Sequence, residues 1–406
     1  MRLVLKGRFS VTVILVISFF IALFSKCVDK PNEVFTDSNG RQYAGTESCK
    51  RCHSAIYDSF LQTTHFKTSM PASEESIKGA FNTDSSFYRY TYSDIVAMEK
   101  RDNSLYQVEY YRNQQKEFHP IDITIGSGTR GQSFLYWKNN KLFQLPVSYF
   151  TSANQWANSP GFPDHNVQFN RVVSFRCLEC HATFAKEPVS KTSPSSTDNR
   201  AIIYGITCEK CHGPGQKHVD YHSGHPSEPG GKYIINPASF SKIQKLDMCA
   251  LCHSGSREVK GKPFLFTPGD TLDSYLGPAP ALPGTLNLDV HLNQYGLLKK
   301  SKCYISSADM TCFTCHDVHK TERGNRALFS QRCQACHKPE QCGYLQTNLS
   351  VNKIVATNCI DCHMPLQPSS TLRVQLQSSS TTTPATIRSH LIAIYPQQLA
   401  PIKMNH

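Results

Sequence analysis

The architecture of this chain is decided by the stretch Thr311-Cys312-Phe313-Thr314-Cys315-His316-Asp317-Val318-His319, in which two cysteines are separated by two residues and followed directly by a histidine. The 406-residue chain contains 17 cysteines, and 14 of them belong to seven copies of this Cys-x-x-Cys-His pattern. Composition alone predicts far fewer than one copy, so the repetition is not accidental. In chain order, motifs 1 to 7 are Cys49/Cys52/His53, Cys177/Cys180/His181, Cys208/Cys211/His212, Cys249/Cys252/His253, Cys312/Cys315/His316, Cys333/Cys336/His337 and Cys359/Cys362/His363.

This pattern is the one that attaches c-type haem. The two thiols form thioether bonds with the vinyl groups of the haem, and the adjacent histidine then binds the iron as its proximal ligand. The alternative is structural zinc, which paired Cys-x-x-Cys units can also bind. Zinc does not require a histidine directly after every second cysteine, so we predict seven covalently bound haems.

Seven haems leave few residues for each, so the porphyrins must form much of the core. We therefore predict a mainly α fold with much irregular chain wrapped around covalent haems, and a small antiparallel β insertion at about residues 80–150. The insertion is indicated by runs rich in β-forming residues, such as Phe87 to Tyr92 and Tyr106 to Tyr111. Within it, Lys138-Asn139-Asn140-Lys141 is typical of a hairpin turn.

The net charge of +12 suggests at first sight a nucleic-acid-binding or membrane-binding surface. Haem propionates are negatively charged, however, and seven haems would offset most of the excess of lysine and arginine. We interpret the basic residues as counter-charges for propionates and predict no nucleic-acid partner.

The N-terminus has the features of an export signal. Arg2, Lys6 and Arg8 precede the uncharged stretch from Phe9 to Ser25, which is short for a transmembrane helix. Cys27 comes just after this stretch and resembles the lipidated cysteine of a bacterial lipoprotein, although plain cleavage or an uncleaved anchor remains open. We predict a signal peptide at 1–26, a lipid anchor on Cys27 and a polar tether at 27–45. Export agrees with haem attachment outside the cytoplasm.

The rest of the chain is predicted to be one multihaem domain at 46–396, followed by a tail at 397–406. Its haem cluster occupies 177–366, because six of the seven motifs lie there.

Ten histidines lie outside the motifs and are candidates for the distal position on the irons. His319 comes three residues after His316, so the two point the same way on a helical turn and His319 must serve a neighbouring haem. The short offsets of His218 from His212 and of His65 from motif 1 lead to the same expectation. We expect no ligand role for His119, His165 and His406, and Met70, Met248, Met310 and Met364 are alternative ligands.

Several phrases resemble the multihaem c-type cytochromes grouped around cytochrome c-554 and the octahaem hydroxylamine-oxidoreductase-like proteins. They are Tyr43 to Cys49, Thr64-His65, Gly205 to Gly215 with His218, Thr311 to His319, and Cys362 to Pro365 followed by Arg388-Ser389-His390. The resemblance covers about residues 41–396, although seven motifs replace the four or eight of those relatives. It implies that the distal ligands are His65, His218, His222, His291, His319 and His390.

Cys303 and Cys342 lie outside the motifs in the last part of the haem cluster. In an oxidising compartment a disulfide between them is the plain interpretation, with two separate thiols as the alternative.

These features favour an electron carrier over an enzyme. Two axial histidines leave no open position on an iron, so fully six-coordinate haems act as a path for electrons. We predict transfer from haem to haem between redox proteins, or from a quinol-linked membrane complex, on the periplasmic or cell-surface side of a membrane. The alternatives are a reductase or oxidase of nitrogen or sulfur oxyanions at one five-coordinate haem, and a scaffold whose haems mainly build structure.

Overall fold

The computed structural model describes residues 34–186, 201–278, 288–347, 357–377 and 379–396. The chain divides into two compact units, Met1–Thr36 and Asp37–His406, and the second unit contains all seven motifs. The predicted signal peptide, Cys27 and the predicted tail lie outside the described residues. In the described part of the chain, no helix is long and apolar enough to cross a membrane.

The prediction of a mainly α fold is wrong. About 27% of the chain is helical and 26% is in strands. The described residues contain the strands β1 (Ser69–Pro71), β2 (Phe87–Thr91), β3 (Asp94–Arg101), β4 (Ser104–Tyr111), β5 (Gln114–Pro120), β6 (Ile123–Ile125), β7 (Gly131–Lys138), β8 (Lys141–Gln144), β9 (Val147–Phe150), β10 (Gln155–Asn158), β11 (Arg171–Val172), β12 (Ala182–Ala185), β13 (Ile202–Tyr204), β14 (Leu366–Leu376) and β15 (Thr382–Arg388).

The strands form three antiparallel sheets. The largest has nine strands in the order β1-β6-β7-β9-β10-β14-β15, with β8 paired to β7 and β11 paired to β8. A second sheet has the order β2-β3-β4-β5, and a third pairs β12 with β13. The β region is therefore not confined to 80–150, because β1 precedes this range and β10, β11, β14 and β15 follow it in the nine-stranded sheet.

The predicted hairpin turn at Lys138–Lys141 is confirmed. Lys138 pairs with Lys141 at the end of the β7–β8 hairpin. Asn139 and Asn140 both have positive φ, at 51° and 60°, the conformation that a two-residue turn of this hand requires and that asparagine tolerates well.

A conventional core fills the space between the two larger sheets. It contains Phe134, Tyr136, Met98 and Val96, all of them at most 1% exposed, and Trp156. Burial of aromatic side chains of this size contributes more to stability than burial of any other residue type. The two larger sheets therefore have a core of their own, built from protein side chains.

The haem motifs lie on short helices. The helices are α1 (Glu47–Phe60), α2 (Phe175–Glu179), α3 (Cys208–His212), α4 (Gln216–Gly224), α5 (Lys242–His253), α6 (Gln294–Lys299), α7 (Lys302–Ile305), α8 (Arg326–Gln334), α9 (Gly343–Thr347) and α10 (Cys359–His363). Motif 5 begins with the 3₁₀ turn Cys312–Thr314. A capping box formed by Ser241 and Gln244 begins helix α5, which ends at His253. Each of the two side chains accepts a hydrogen bond from the backbone N–H of the other residue.

Candidate haem-binding site

One large cavity occupies the α-helical side of the molecule. Its volume is about 3270 Å³, and it is lined by both cysteines of each of motifs 1 to 5 and by Cys333 of motif 6. A pocket for one small molecule measures roughly 300–1,000 Å³, so this cavity has room for several large groups. The residues around it fit haem, since thiols and imidazoles are the groups that attach it.

Four motif histidines lie opposite a histidine from outside the motifs. In each pair the two ring centres are 6.0 to 6.4 Å apart, and all eight rings line the cavity. The pairs are His53 with His218 at 6.4 Å, His212 with His319 at 6.2 Å, His253 with His65 at 6.2 Å, and His316 with His390 at 6.0 Å.

This separation is the one that two axial imidazoles require. Two metal–nitrogen bonds of about 2.0 Å, plus the distance from each nitrogen to its ring centre, leave roughly 6 Å between ring centres. Among the described residues, no group of three or more His, Cys, Asp or Glu side chains could hold a metal ion. The facing histidines therefore form pairs and not larger metal-binding clusters.

The partner histidine in each pair comes from a different part of the chain. His319, three residues after motif 5, faces motif 3, and His218, six residues after motif 3, faces motif 1. His65 lies shortly after the end of α1, the helix that carries motif 1. Its ring faces His253 of motif 4. A haem held by one of these pairs would therefore be bound by two segments at once, which connects motif 5 with motif 3, motif 3 with motif 1, and motif 1 with motif 4.

Backbone carbonyls orient several of the rings. Nδ1 of His212 lies 2.9 Å from the carbonyl oxygen of Ile235, and Nδ1 of His363 lies 2.8 Å from that of Ala393. A carbonyl oxygen can only accept, so Nδ1 must carry the proton and Nε2 keeps its lone pair for a metal. His218 is oriented in the same way by Lys232, at 2.8 Å.

Burial favours the neutral form of five of the eight paired rings. It lowers the pKa of His253 and of His390 to about 4, with further lowering from neighbouring histidines. Burial also lowers the pKa of His65, His212 and His316. These imidazoles are uncharged at neutral pH, which is the form that binds a metal.

Close packing fixes the position of His65. The backbone N–H of Ile206 donates to the carbonyl of His65 at 2.9 Å. Gly205 has a φ of +67°, and a Cβ at this position would lie 2.0 Å from the carbonyl oxygen of Phe66. Only glycine allows this approach, so the residues before motif 3 hold the ligand that faces motif 4.

The nine-stranded sheet contributes to motif 2. The Thr68 hydroxyl lies 3.0 Å from Nδ1 of His181, and the Ser69 hydroxyl donates to the carbonyl oxygen of His181. Burial lowers the pKa of His181, the contact with Thr68 opposes that effect, and the charge of nearby His291 adds to it. His291 therefore lies near motif 2, although no ring pair like the other four joins them.

Asp289 fixes the segment that carries His291. Its carboxylate accepts from the backbone N–H of His291 at 2.8 Å and from the Thr371 hydroxyl at 2.7 Å, and it also accepts from Ser369 and Ser370. Burial opposes the charged form, but these hydrogen bonds prevail and hold the pKa of Asp289 well below its usual range. Sequence reasoning missed Thr68 and Asp289, because neither belongs to a motif.

Thiols of different motifs also lie close enough to shift one another's pKa. Each thiol is an attachment point at the edge of a haem, so such contacts indicate which haems would be neighbours. The contacts are Cys49 with Cys208, Cys180 with Cys252, Cys249 with Cys312, and Cys333 with Cys359. Motif 1 is thus adjacent to motif 3, motif 4 to motifs 2 and 5, and motif 6 to motif 7.

The remaining candidates are placed differently. His222 lines the cavity but lies 4.7 Å from His218 rather than opposite a motif histidine. His119 stacks on Tyr136 at 4.1 Å within the β region, and His165 is exposed. Cys303 and Cys342 are separate thiols in the structure. Burial raises the pKa of Cys303, and the charge of Cys336 of motif 6 adds to this effect.

Comparison with known proteins agrees with this geometry. A family model described as cytochrome c554 and c-prime matches residues 137–213, which contain motifs 2 and 3. The crystal structure of the outer cell wall cytochrome OcwA is similar in fold, with a TM-score of 0.51 and 16% sequence identity over 88% of this chain and 81% of that chain. No curated protein matches the chain. The motifs, the facing histidines and the family match together support a multihaem c-type cytochrome with covalently bound haem.

Proposed function

We propose that the chain is a heptahaem c-type cytochrome that carries electrons between redox partners on the outer side of a membrane. The observation that carries the proposal is the set of four histidine pairs, in which each partner ligand comes from another segment of the chain. Haem supplies one-electron chemistry at iron when it is bound. At each of these four sites, two facing histidines would supply nitrogen ligands to a haem iron.

The contacts between thiols support a continuous path. Cys49–Cys208, Cys249–Cys312 and Cys333–Cys359 connect motifs 1 and 3, 4 and 5, and 6 and 7. The charge of Cys211 acts on Cys249, and that of Cys315 on Cys333, so motifs 3 and 4 and motifs 5 and 6 are also near one another. The proposed order is 1-3-4-5-6-7, with motif 2 beside motif 4.

A redox titration of the haem-loaded protein tests this function. We expect seven electrons to enter per chain and to leave again completely to an electron acceptor such as an oxidised soluble cytochrome. Addition of nitrite, hydroxylamine or sulfite should not increase the rate at which the reduced protein is reoxidised. A population of haems that never exchanges electrons with the others would contradict the proposal.

A reductase or oxidase is the second candidate. In the described ranges, no histidine ring faces His181, His337 or His363 at the distance that the four pairs share. A five-coordinate iron at one of these positions could bind a nitrogen or sulfur oxyanion. Electron paramagnetic resonance distinguishes the two functions. For a carrier we expect low-spin irons that do not bind added cyanide, and for an enzyme we expect a high-spin iron that binds it.

We further propose that the protein is exported and held at the membrane by a lipid on Cys27, facing a quinol-linked complex or other redox proteins. Support comes from the sequence of the N-terminus and from a similar fold in a cytochrome of the outer cell wall. Cys27→Ser should move the protein from the membrane fraction to the soluble fraction. Unchanged fractionation would show that the anchor is not this cysteine.

A further inference from the structure

One turn of the chain contacts ligand histidines of two different motif sites. It consists of residues 232–235 and lies between helices α4 and α5. The carbonyl oxygen of Lys232 accepts from Nδ1 of His218 at 2.8 Å, and that of Ile235 accepts from Nδ1 of His212 at 2.9 Å. His218 faces motif 1, and His212 belongs to motif 3. The two sites therefore share one short backbone segment as the acceptor of their ring N–H groups.

The turn is fastened at both ends. At one end the backbone N–H of Ile235 donates to the carbonyl oxygen of His212 at 3.0 Å, so these two residues are joined by two hydrogen bonds. At the other end the Lys232 ammonium donates to the Tyr221 hydroxyl at 2.9 Å. Tyr221 lies on α4, three residues after His218. The turn is thus held against the two segments that carry these ligands.

Tyr233, in the middle of the turn, has a backbone conformation that is unfavourable for its residue type. Its φ is +59°, in the left-handed region where glycine, asparagine and aspartate are common and bulky residues are rare. Its ring centre lies 5.3 Å from that of Tyr221, but the residue is 62% exposed, so burial offers little compensation. Strained backbone persists where the surrounding structure requires it. Here the requirement is the direction of two carbonyl groups, one directly before Tyr233 and one two residues after it.

A hydrogen bond at Nδ1 changes how a histidine acts on a metal. It fixes the direction of the ring and makes Nε2 a stronger donor. A stronger donor favours ferric over ferrous iron, and hydrogen bonds around axial ligands are among the factors that set haem potentials. Both hydrogen bonds from the turn therefore act in the same direction, towards a lower potential at each of the two sites.

We propose that turn 232–235 sets the potentials of the motif 1 and motif 3 haems together and that Tyr233 is its positioning residue. Tyr233 acts through the backbone, because its positive φ directs the two carbonyls towards His218 and His212. A shared acceptor segment keeps the two potentials matched, so that an electron passes between these haems without a large change in energy. The inference rests on the proposed haem loading.

The test uses the full haem-loaded chain and three substitutions at Tyr233. Tyr233→Gly removes the ring but permits the positive φ. Tyr233→Val disfavours this φ because valine is β-branched, and Tyr233→Pro excludes it because proline fixes φ at about −65°. Intact mass first establishes that each variant carries the wild-type number of haems.

A redox titration followed by electron paramagnetic resonance then measures the midpoint potentials. In Tyr233→Pro two potentials should rise, because both imidazoles lose their acceptor. The same two should rise by less in Tyr233→Val, and none should move in Tyr233→Gly, the matched control that keeps the turn. Two marker variants identify the haems, since His218→Met changes an axial ligand at motif 1 and His319→Met changes one at motif 3.

The proposal is overturned if Tyr233→Gly shifts the potentials as Tyr233→Pro does, because the ring and not the backbone would then be responsible. It is also overturned if the loaded Tyr233→Pro protein titrates like wild type or shifts only one of the two marked haems. If Tyr233→Pro does not load its haems, Tyr233→Val decides by the same criteria. A wild-type chain without haem would instead overturn the proposed function, and the mass measurement reveals this before any potential is recorded.

Discussion

At the residue scale, His319 shows how a short sequence offset becomes a link between two iron sites. Its three-residue spacing from His316 prevents it from crossing to the far side of its own haem. In the structure its ring lies 6.2 Å from that of His212 and nearly parallel to it, at 19°. The sequence predicts that His319 must turn towards a neighbour, but which neighbour depends on tertiary packing that no local pattern encodes.

His319→Ala should convert one low-spin iron into a high-spin iron that binds added cyanide, because His212 would lose its opposite ligand. All haems should stay attached, since no thioether is touched. His319→Met should instead raise the potential of that haem, within the roughly 0.8 V over which axial ligands act. Electron paramagnetic resonance and a redox titration measure both effects.

His225→Ala is the matched control for this experiment. His225 is exposed, and its Nδ1 contacts the carbonyl of Tyr221 at 2.9 Å rather than facing a motif histidine. It should leave both the spin count and the titration unchanged. If His319→Ala behaves like His225→Ala, His319 is not an axial ligand and the connection between motifs 3 and 5 is lost.

At the element scale, two of the β hairpins, β7–β8 and β14–β15, illustrate what local sequence can and cannot predict. The β7–β8 hairpin was predictable because Asn139 and Asn140 accept the positive φ of its turn. The β14–β15 hairpin was not, since its serines and threonines are typical of irregular chain as well as of strands. Its pairing with β10 and the contacts of Asp289 with Ser369 and Thr371 fix it in the sheet, and these are tertiary interactions.

An ion pair fastens the segment after motif 5 to helix α8. Both guanidinium nitrogens of Arg332 bind the two carboxylate oxygens of Glu322, at 2.6 and 2.7 Å, and Arg332 also donates to the carbonyl of Cys315. The bond from Arg332 is the main reason that the pKa of Glu322 falls from 4.5 to about 2, although burial opposes it. The pair therefore holds motif 5 against the helix that begins motif 6.

Glu322→Gln should lower the free energy of unfolding by about 2 kcal/mol at pH 7, because a charge-assisted two-point contact is lost. A carboxylate whose pKa is lower in the folded state stabilises the fold above its unfolded pKa. The difference in free energy of unfolding between variant and wild type should thus reach its full value above about pH 5. It should vanish as the pH falls towards 2. Thermal unfolding of the haem-loaded protein at several pH values measures it.

Glu74→Gln is the control for this prediction. Glu74 pairs with Lys100 at 2.7 Å, but their side chains are 58% and 40% exposed, and an exposed pair contributes between about 0 and 1 kcal/mol. Equal effects of the two substitutions at pH 7 would mean that the Glu322–Arg332 pair has no special role between motifs 5 and 6.

At the scale of the whole molecule, the motifs predicted the chemistry of the site better than the architecture around it. Thiols and histidines can be read directly from the sequence because haem attachment requires them at fixed spacing. The mainly α prediction failed because it extended the short helices of the motifs to the rest of the chain. Strands β1, β10, β11, β14 and β15 lie outside the expected insertion and join β6 to β9 in the nine-stranded sheet. Thr68, directly before β1, places its hydroxyl 3.0 Å from Nδ1 of His181.

The combination of packed sheets and a cavity lined by haem-attachment motifs explains how one chain could hold many cofactors. Phe134, Tyr136 and Trp156 give the sheets a packed core of their own. The helical side has no comparable core beyond the small cluster around Ala250, Leu251 and Leu272 among the described residues. Covalent haems would supply the missing core there, held by ligands from two segments at a time.

The intact mass of the mature protein, produced with a haem-attachment system, tests the central claim most directly. Each of the seven motifs offers two thiols and a histidine, so the mass should exceed that of the polypeptide by seven covalently bound haems. His319→Ala should give the same excess, because it leaves every thiol in place. An excess of five haems or fewer in the wild-type protein would contradict the account.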